Sequence, residues 1–168
     1  FMNPAYLLIG GNIGDRLYYL DKACTNIEQH SIQILRKSSI YETAAWGNTA
    51  QSAFLNQVLE ISTQKTASEL LNEILSIEQD MGRKRLEKNG ARTIDIDILY
   101  FKGEVINVPG LKVPHERIPF RKFVLIPMNE LQPDLLDPAR GKTINQLLLD
   151  CEDNLDVSVY NQNTQRKK

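Results

Sequence analysis

Residues 90–101 read GARTIDIDILYF, and their run of β-branched and aromatic side chains predicts a β-strand. Successive side chains of a strand point to opposite faces, so Asp95 and Asp97 share one face, with Cα atoms about 6.6 Å apart. The isoleucines that flank these two acids take the other face, which we expect to lie in the core. The strand is therefore predicted to be apolar on one face and acidic on the other.

The acidic pair requires a compensating charge. Two neighbouring anions repel each other, and half-buried carboxylates are costly unless a partner offsets them. A hard divalent cation offsets both, and two carboxylates at this spacing can bind one Mg²⁺ or a pair, with phosphate oxygens completing the shell. The alternative is an edge strand whose polar face is solvated.

A basic segment leads into this strand. Residues 83–92 carry five positive charges against one negative, and Gly82 and Gly90 suit a loop. The whole chain has a net charge of −1, so the positive charge is local, which argues against a general nucleic-acid surface. Because arginine forks onto phosphate oxygens, a basic loop beside an acidic pair predicts a polyphosphate substrate. The alternative is a solvated loop that only aids solubility.

Length and composition are typical of one globular domain. The chain has 168 residues, of which 42% are hydrophobic and 24% charged. We expect residues 2–160 to form a single domain and residues 161–168 to be a disordered polar tail. Cys24 and Cys151 lack metal-ligand spacing, and no apolar run suits a signal peptide or a membrane span. These features predict a cytoplasmic protein without a membrane partner.

The predicted elements follow the order β-α-β-β-α-β. Strands are predicted at 5–9, 32–41, 54–62 and 94–101, and helices at 15–30 and 66–81, with Asp15 and Thr66 as their N-caps. Two consecutive strands between two helices predict a ferredoxin-like α+β fold, an antiparallel sheet with helices packed on one face. A C-terminal part follows, with a hairpin turning at Lys102-Gly103, helices at 120–131 and 143–149, and a strand at 157–160.

Four segments occur in an order that is similar to one enzyme family. They are IGGNIGD at 9–15, SIYET at 39–43, FLN at 54–56, and residues 92–99 followed by Val113-Pro114-His115. Together they resemble the 6-hydroxymethyl-7,8-dihydropterin pyrophosphokinases of folate biosynthesis, and the Gly-x-Arg-x-x-Asp-x-Asp pattern at 90–97 is the most specific part. The resemblance implies that the β,γ-diphosphate of ATP is transferred to the hydroxymethyl group of the pterin, with AMP as the other product.

The resemblance also implies which residues bind ATP and metal. Two Mg²⁺ ions would be held by Asp95 and Asp97, which agrees with the argument from strand spacing. The implied catalytic residues are Arg83, Arg92, Asp95 and Asp97. The implied ATP-binding residues are Arg83, Arg85, Arg92, His115 and Arg121.

A pterin ring is flat, so its pocket should offer aromatic faces and an amide at the ring edge. The resemblance places Phe54 and Phe123 at the two stacking positions. Asn56 follows Phe54 by two residues and shares its strand face, so its amide can meet the ring edge. The other pterin-binding positions that the resemblance implies are Gly10, Asn12, Thr43, Ala44 and Trp46. Trp46 replaces a smaller family residue, so it would either cover the pterin or pack against the sheet.

Two other functions remain open from the residues alone. A Mg²⁺-dependent nucleotide hydrolase would use the same carboxylates with water as the nucleophile. A ferredoxin-like RNA-binding module would need exposed sheet aromatics with broad basic charge, which a near-neutral chain with an acidic pair does not offer. We therefore expect a monomer with small-molecule substrates and no nucleic-acid partner.

Overall fold

The computed structural model describes residues 2–44, 52–82 and 93–161. In chain order its elements are β1 (Asn3–Gly11), α1 (Arg16–Gln29), β2 (Gln33–Lys37), β3 (Tyr41–Thr43), β4 (Phe54–Thr63), α2 (Ala67–Asp80), β5 (Asp95–Phe101), β6 (Ile106–Val108), β7 (Leu111–Val113), a 3₁₀ turn (Ile118–Phe120), α3 (Lys122–Leu131), β8 (Leu136–Asp137), β9 (Lys142–Thr143), α4 (Ile144–Asp150) and β10 (Val157–Val159). No helix within these ranges is long and apolar enough to cross a membrane.

The main sheet is antiparallel throughout. Its strand order is β10-β3-β4-β1-β5, and β2 pairs with the same strand, β4, as β3 does. With α1 after β1 and α2 after β4, this is the ferredoxin-like α+β arrangement that the element order predicts, and that prediction is confirmed.

The two helices of this core, α1 and α2, each begin at a side-chain cap that the sequence predicts. Asp15 accepts from the backbone N of Tyr18 at 3.1 Å, at the start of α1. Thr66 and Glu69 form a reciprocal capping box at the start of α2, which satisfies two backbone donors that the helix leaves unpaired.

The strand predicted at 32–41 is two strands, so the prediction of one continuous strand is wrong. Between them, the backbone N of Ser38 donates to the Val58 carbonyl, while the Ser38 hydroxyl accepts from the Val58 N, both at 2.9 Å. A side-chain oxygen thus takes the place of a main-chain carbonyl in the ladder. The ladder of main-chain hydrogen bonds is interrupted there, although the strands on either side, β2 and β3, both pair with β4.

The hairpin predicted around Lys102-Gly103 is also wrong. The turn is present, with both residues at positive φ, but β5 pairs with β1 and not with residues 104–106. The hairpin that forms is β6–β7, and it turns at Gly110 with φ +81°. The predicted hairpin does not form because β5 pairs with β1 instead. In addition, the backbone N of Ile96 on β5 donates to the Glu78 carboxylate at 2.9 Å.

Helices cover both faces of the sheet, whereas the sequence predicted that they would pack on only one face. One core lies under α1 and α2 and includes Leu7, Ile9, Ile96 and Ile98. A second core lies under α3 and α4 and is formed by these buried side chains: Tyr6, Leu8, Val58, Leu99, Tyr100, Val124, Leu125 and Met128. The sign of this in the sequence is that residues 5–9 are apolar without alternation, as in strands buried on both faces.

A bulge in β5 sets which side chains face the second core. Tyr100 pairs with Tyr6, but Ile98 pairs with Leu7, so Leu99 is an extra residue in the ladder. Leu99 and Tyr100 therefore both pack in the second core. The same strand face carries Asp95 and Asp97 beyond the end of this core.

Candidate active site

A cleft opens on the sheet face that carries α3, where β1, β4 and β5 present Gly10, Asn56 and Asp95 as cross-strand neighbours. The cleft is open to solvent, and its volume together with that open space is about 710 Å³. Its lining residues are Leu8, Gly10, Thr43, Ala44, Phe54, Asn56, Asp95, Asp97, Arg121 and Phe123.

The two strand carboxylates both line this cleft. Asp95 and Asp97 are partly exposed, while Ile96 between them is buried in the opposite core. The backbone N of Ile96 donates to the buried Glu78 carboxylate, which anchors the strand between the two acids. Oxygen donors that share one face of a fixed strand fit a hard cation such as Mg²⁺.

Gly10 and Asn56 are in very close contact across β1 and β4. The two are Cα partners in the ladder, and a Cβ on Gly10 would collide with Asn56 Oδ1 and lie 2.8 Å from the Leu55 carbonyl. Only glycine therefore lets the Asn56 amide lie over β1. The bare backbone of β1 at Gly10 thus allows the Asn56 side-chain amide to lie at the cleft.

Thr43 and Phe54 are paired opposite each other at the ends of β3 and β4, and both line the cleft. The Thr43 hydroxyl is buried, and within the described residues it has no hydrogen-bond partner. Buried hydroxyls in folded proteins are nearly always paired. A polar ligand in the cleft would supply the missing partner.

A positive charge and an aromatic ring are adjacent at the start of α3. The guanidinium carbon of Arg121 lies 5.3 Å from the ring centroid of Phe123, in a cation–π contact, and both side chains line the cleft. The cleft wall that α3 contributes is therefore part cationic and part aromatic.

His115 is held by its main chain and by its ring. Its backbone N donates to the Leu99 carbonyl at 3.1 Å, and its Nδ1 accepts from the Arg117 backbone N at 3.2 Å. Burial first, and then the charge of Arg121, lower the pKa of His115, while Asp95 acts in the opposite direction. The ring is therefore neutral near pH 7, with Nδ1 as acceptor and its proton on Nε2.

His115 is not among the residues that line the cleft, and the remaining predicted site residues do not line it or are not described. Asn12 is buried, but its amide donates to the Ser52 carbonyl at 3.0 Å, and it is not among the lining residues. Four predicted site residues lie outside the described ranges, namely Trp46, Arg83, Arg85 and Arg92. Leu8 lines the cleft and was not predicted, although it precedes Gly10 by two residues and so shares its strand face.

Comparison with known proteins identifies the family. A family model described as 7,8-dihydro-6-hydroxymethylpterin-pyrophosphokinase (HPPK) matches residues 6–133. The chain belongs to the HPPK family. A 2-amino-4-hydroxy-6-hydroxymethyldihydropteridine pyrophosphokinase of Aquifex aeolicus is 41% identical over 145 residues, which are 86% of this chain and 90% of that protein. The protein of the same name from Bacillus subtilis is 44% identical over 130 residues, 77% of this chain and 78% of its own.

Solved structures agree on the fold. The HPPK-DHPS of Plasmodium falciparum with pteroate superposes with a TM-score of 0.71 at 16% sequence identity. The match covers 89% of this chain and 42% of that longer one. At this identity the likeness supports the HPPK fold and nothing further.

Membership of the HPPK family confirms the enzymatic prediction. The chain is an ATP-dependent diphosphotransferase that transfers pyrophosphate from ATP to hydroxymethyldihydropterin in folate biosynthesis. The two alternatives, a nucleotide hydrolase and an RNA-binding module, receive no support from the comparisons.

Proposed function

We propose that the cleft on the α3 face is where this HPPK reaction takes place, with the pterin between Phe54 and Phe123 and the ATP phosphates beside Asp95, Asp97 and Arg121. The observation that carries the proposal is the convergence of these side chains. They come from β4, β5 and the start of α3, and all of them line one cleft.

The pterin half of the site consists of ring faces and polar edge groups. Phe54 and Phe123 supply aromatic surface for a flat ring. The Asn56 amide, held against Gly10, and the unpaired Thr43 hydroxyl supply hydrogen bonds to the ring edge. A site that hydrogen-bonds a heterocycle edge rejects analogues that lack those groups, because its own buried polar groups would then be left unpaired.

The phosphate half is built from two acids and the nearby cations. Asp95 and Asp97 are the residues that would hold Mg²⁺, and we propose two ions. Bound Mg²⁺ would supply charge neutralisation on the triphosphate and on the AMP leaving group. Arg121 lines the cleft and can bind phosphate oxygens through its guanidinium group. His115 does not line the cleft, but Nδ1 accepts from Arg117 N, which leaves the Nε2 proton for a phosphate oxygen. The resemblance adds Arg83, Arg85 and Arg92.

The arrangement needs no protein nucleophile. Phosphoryl-type transfer depends on positioning the two substrates and on stabilising charge. Phe54 and Phe123 line the same cleft as the acidic pair, which supports the proposal that the hydroxymethyl group of a bound pterin would reach the phosphate half. We further propose that residues 2–160 form one domain that works as a cytoplasmic monomer without a nucleic-acid partner. The near-neutral charge supports the last of these points, because nucleic-acid surfaces are strongly basic.

Replacing Asp97 tests the proposal. Asp97→Asn keeps the side-chain shape but removes the charge that holds Mg²⁺, so AMP formation from ATP, Mg²⁺ and the pterin should fall by at least about a hundredfold. The thermal midpoint should stay near that of the parent protein. The measurement is AMP release with each component omitted in turn.

Asp150→Asn is the matched control. Asp150 is an exposed carboxylate that does not line the cleft, and its Oδ2 lies 2.9 Å from Lys142 Nζ. It should leave AMP release unchanged. Parent-like activity in Asp97→Asn would contradict the metal-binding role, and AMP release that does not need pterin would indicate a hydrolase.

A further inference from the structure

A buried carboxylate at the end of β8, just before the turn to β9, accepts hydrogen bonds from four donors. Asp137 is fully buried, and its Oδ1 accepts from the backbone N of Ala139 at 2.9 Å and of Arg140 at 3.0 Å. Its Oδ2 accepts from the Tyr100 hydroxyl and from Arg140 Nη1, both at 2.7 Å. Buried charges of this kind persist only when they are paired and hydrogen-bonded, so the turn and β5 are fixed to each other here.

Arg140 continues this network towards the site. While Nη1 is bound to Asp137, Nη2 donates to the main-chain carbonyls of Glu116 at 3.0 Å and of His115 at 3.3 Å. One guanidinium therefore joins the β8–β9 turn to the segment that carries His115. The fork geometry of arginine makes this possible, and lysine cannot reproduce it with a single nitrogen.

The constraints on His115 come from three directions. Its backbone N is bound to Leu99 on β5, its carbonyl to Arg140, and its ring Nδ1 to the backbone N of Arg117. Burial, followed by the bond to Asp137, raises the pKa of Tyr100, so the hydroxyl that closes the network on the β5 side stays protonated and donates. The remaining ring nitrogen, Nε2, is thereby left in a defined place for a ligand.

We propose that Arg140 is a positioning residue for ATP binding, acting through the main chain of His115 and Glu116. Arg140 is not among the residues that line the cleft. It holds the carbonyls of the segment so that the Nε2 proton of His115 meets a phosphate oxygen. This inference rests on the phosphate-binding role proposed for His115.

Arg140→Lys is the variant that tests it. Lysine keeps a positive charge beside Asp137, which protects the fold, but it cannot also hold both carbonyls. The KM for ATP should rise about three- to tenfold, as expected when hydrogen bonds that orient a ligand-binding group are lost. The KM for the pterin should not change. Steady-state AMP release, varying one substrate at a time, measures both values.

Two further variants separate positioning from stability. Arg36→Lys is the matched control, because Arg36 likewise joins a carboxylate, that of Glu60, to a main-chain carbonyl, that of Leu131, away from the cleft. It should lower the thermal midpoint and leave both KM values unchanged. In a His115→Ala background, Arg140→Lys should have no additional effect on the KM for ATP, because the group on which it acts is gone.

The outcomes are distinct. A selective rise in the KM for ATP that disappears in the His115→Ala background supports the inference. An unchanged KM for ATP in Arg140→Lys, an equal rise in both KM values, or an effect that persists without His115 would overturn it. If His115→Ala itself leaves the KM for ATP unchanged, the proposed role of His115 fails together with the inference, while loss of activity in Asp97→Asn would still stand for the site as a whole.

Discussion

Thr43 is a buried polar side chain at the cleft that lacks a hydrogen-bond partner among the described residues. Its hydroxyl is buried at the cleft, and within the described part of the chain it makes no hydrogen bond. Leaving a buried hydroxyl unpaired costs about 1–3 kcal/mol, so the free protein is less stable than it would be with an apolar side chain of the same shape. A bound pterin would recover that free energy as affinity.

Thr43→Val tests this directly. Valine has the same shape without the hydroxyl, so the free energy of unfolding should stay equal or rise, while the KM for the pterin should increase by up to about tenfold. Thr93→Val is the matched control, since Thr93 has the other buried unpaired hydroxyl of the described residues and does not line the cleft. Unfolding in urea and steady-state kinetics measure the two effects. An unchanged pterin KM in Thr43→Val would show that this hydroxyl does not contact the substrate.

Individual residues were predictable where strand alternation decides their direction. Because strand side chains alternate with a period of two residues, Asp95 and Asp97 share one face of their strand, and Phe54 and Asn56 share one face of theirs. In the folded protein all four line the cleft. The contacts of Arg140 were not predictable, because they join a C-terminal turn to carbonyls 24 and 25 residues earlier, and no local pattern in the sequence encodes such contacts.

Between neighbouring strands, the contact of Gly10 with Asn56 couples packing to recognition. A methyl group at Gly10 would collide with the Asn56 amide and press on the Leu55 carbonyl of β4. Gly10→Ala should therefore destabilise the fold by about 1–3 kcal/mol, the usual cost of overpacking, and should also raise the KM for the pterin because the amide is displaced. Urea unfolding and pterin-dependent kinetics are the measurements.

Gly110→Ala provides a comparison at the β6–β7 turn. It too should be destabilising, since Gly110 has φ +81°, but no atom of the described residues lies within 4 Å of the added methyl group. The pterin KM of this variant should match that of the parent protein. If Gly10→Ala lost stability without any change in the pterin KM, the position of the Asn56 amide would not matter for binding.

The elements themselves were predictable to different degrees. The strands and helices of the βαββαβ core follow from apolar periodicity and from caps at Asp15 and Thr66. The division of β2 from β3 does not, because it depends on the Ser38 hydroxyl bonding to Val58 on another strand. The hairpin was misplaced for a similar reason, since the pairing of β5 with β1 is a long-range contact.

At the scale of the whole protein, Glu60 ties three strands of the sheet to the end of α3. From β4 it accepts from Tyr6 on β1 at 2.7 Å and from two nitrogens of Arg36 on β2, and from Gln132 just after α3 at 3.4 Å. The bonds from Arg36, more than any other cause, lower the pKa of Glu60 to about 2. A carboxyl group with a depressed pKa stabilises the fold at neutral pH and stops doing so in acid.

The sign of the pH dependence follows. The contribution of Glu60 is complete above its ordinary pKa of 4.5 and is lost as the pH falls from about 4.5 to about 2. Glu60→Gln should therefore be less stable than the parent by about 1–2 kcal/mol at pH 7, a moderate value because Arg36 is half exposed and solvent screens the pair. The difference should shrink towards pH 3 in urea titrations. A difference that stays constant from pH 7 to pH 3 would rule out this linkage.

The extra residue at Leu99 has a consequence for how the acidic strand tolerates change. Because the ladder contains one extra residue there, the alternation of side chains in β5 before the bulge does not continue unchanged after it. Removing Leu99 would leave Asp95 and Asp97 facing the cleft. It would also leave Tyr100 facing the second core beside Asp137, because Ile98 and Tyr100 would then alternate as in a regular ladder. The cost would be the buried Leu99 side chain itself. The direction of the acidic pair and the direction of Tyr100 therefore do not depend on the extra residue, whose contribution is an additional apolar side chain in the second core.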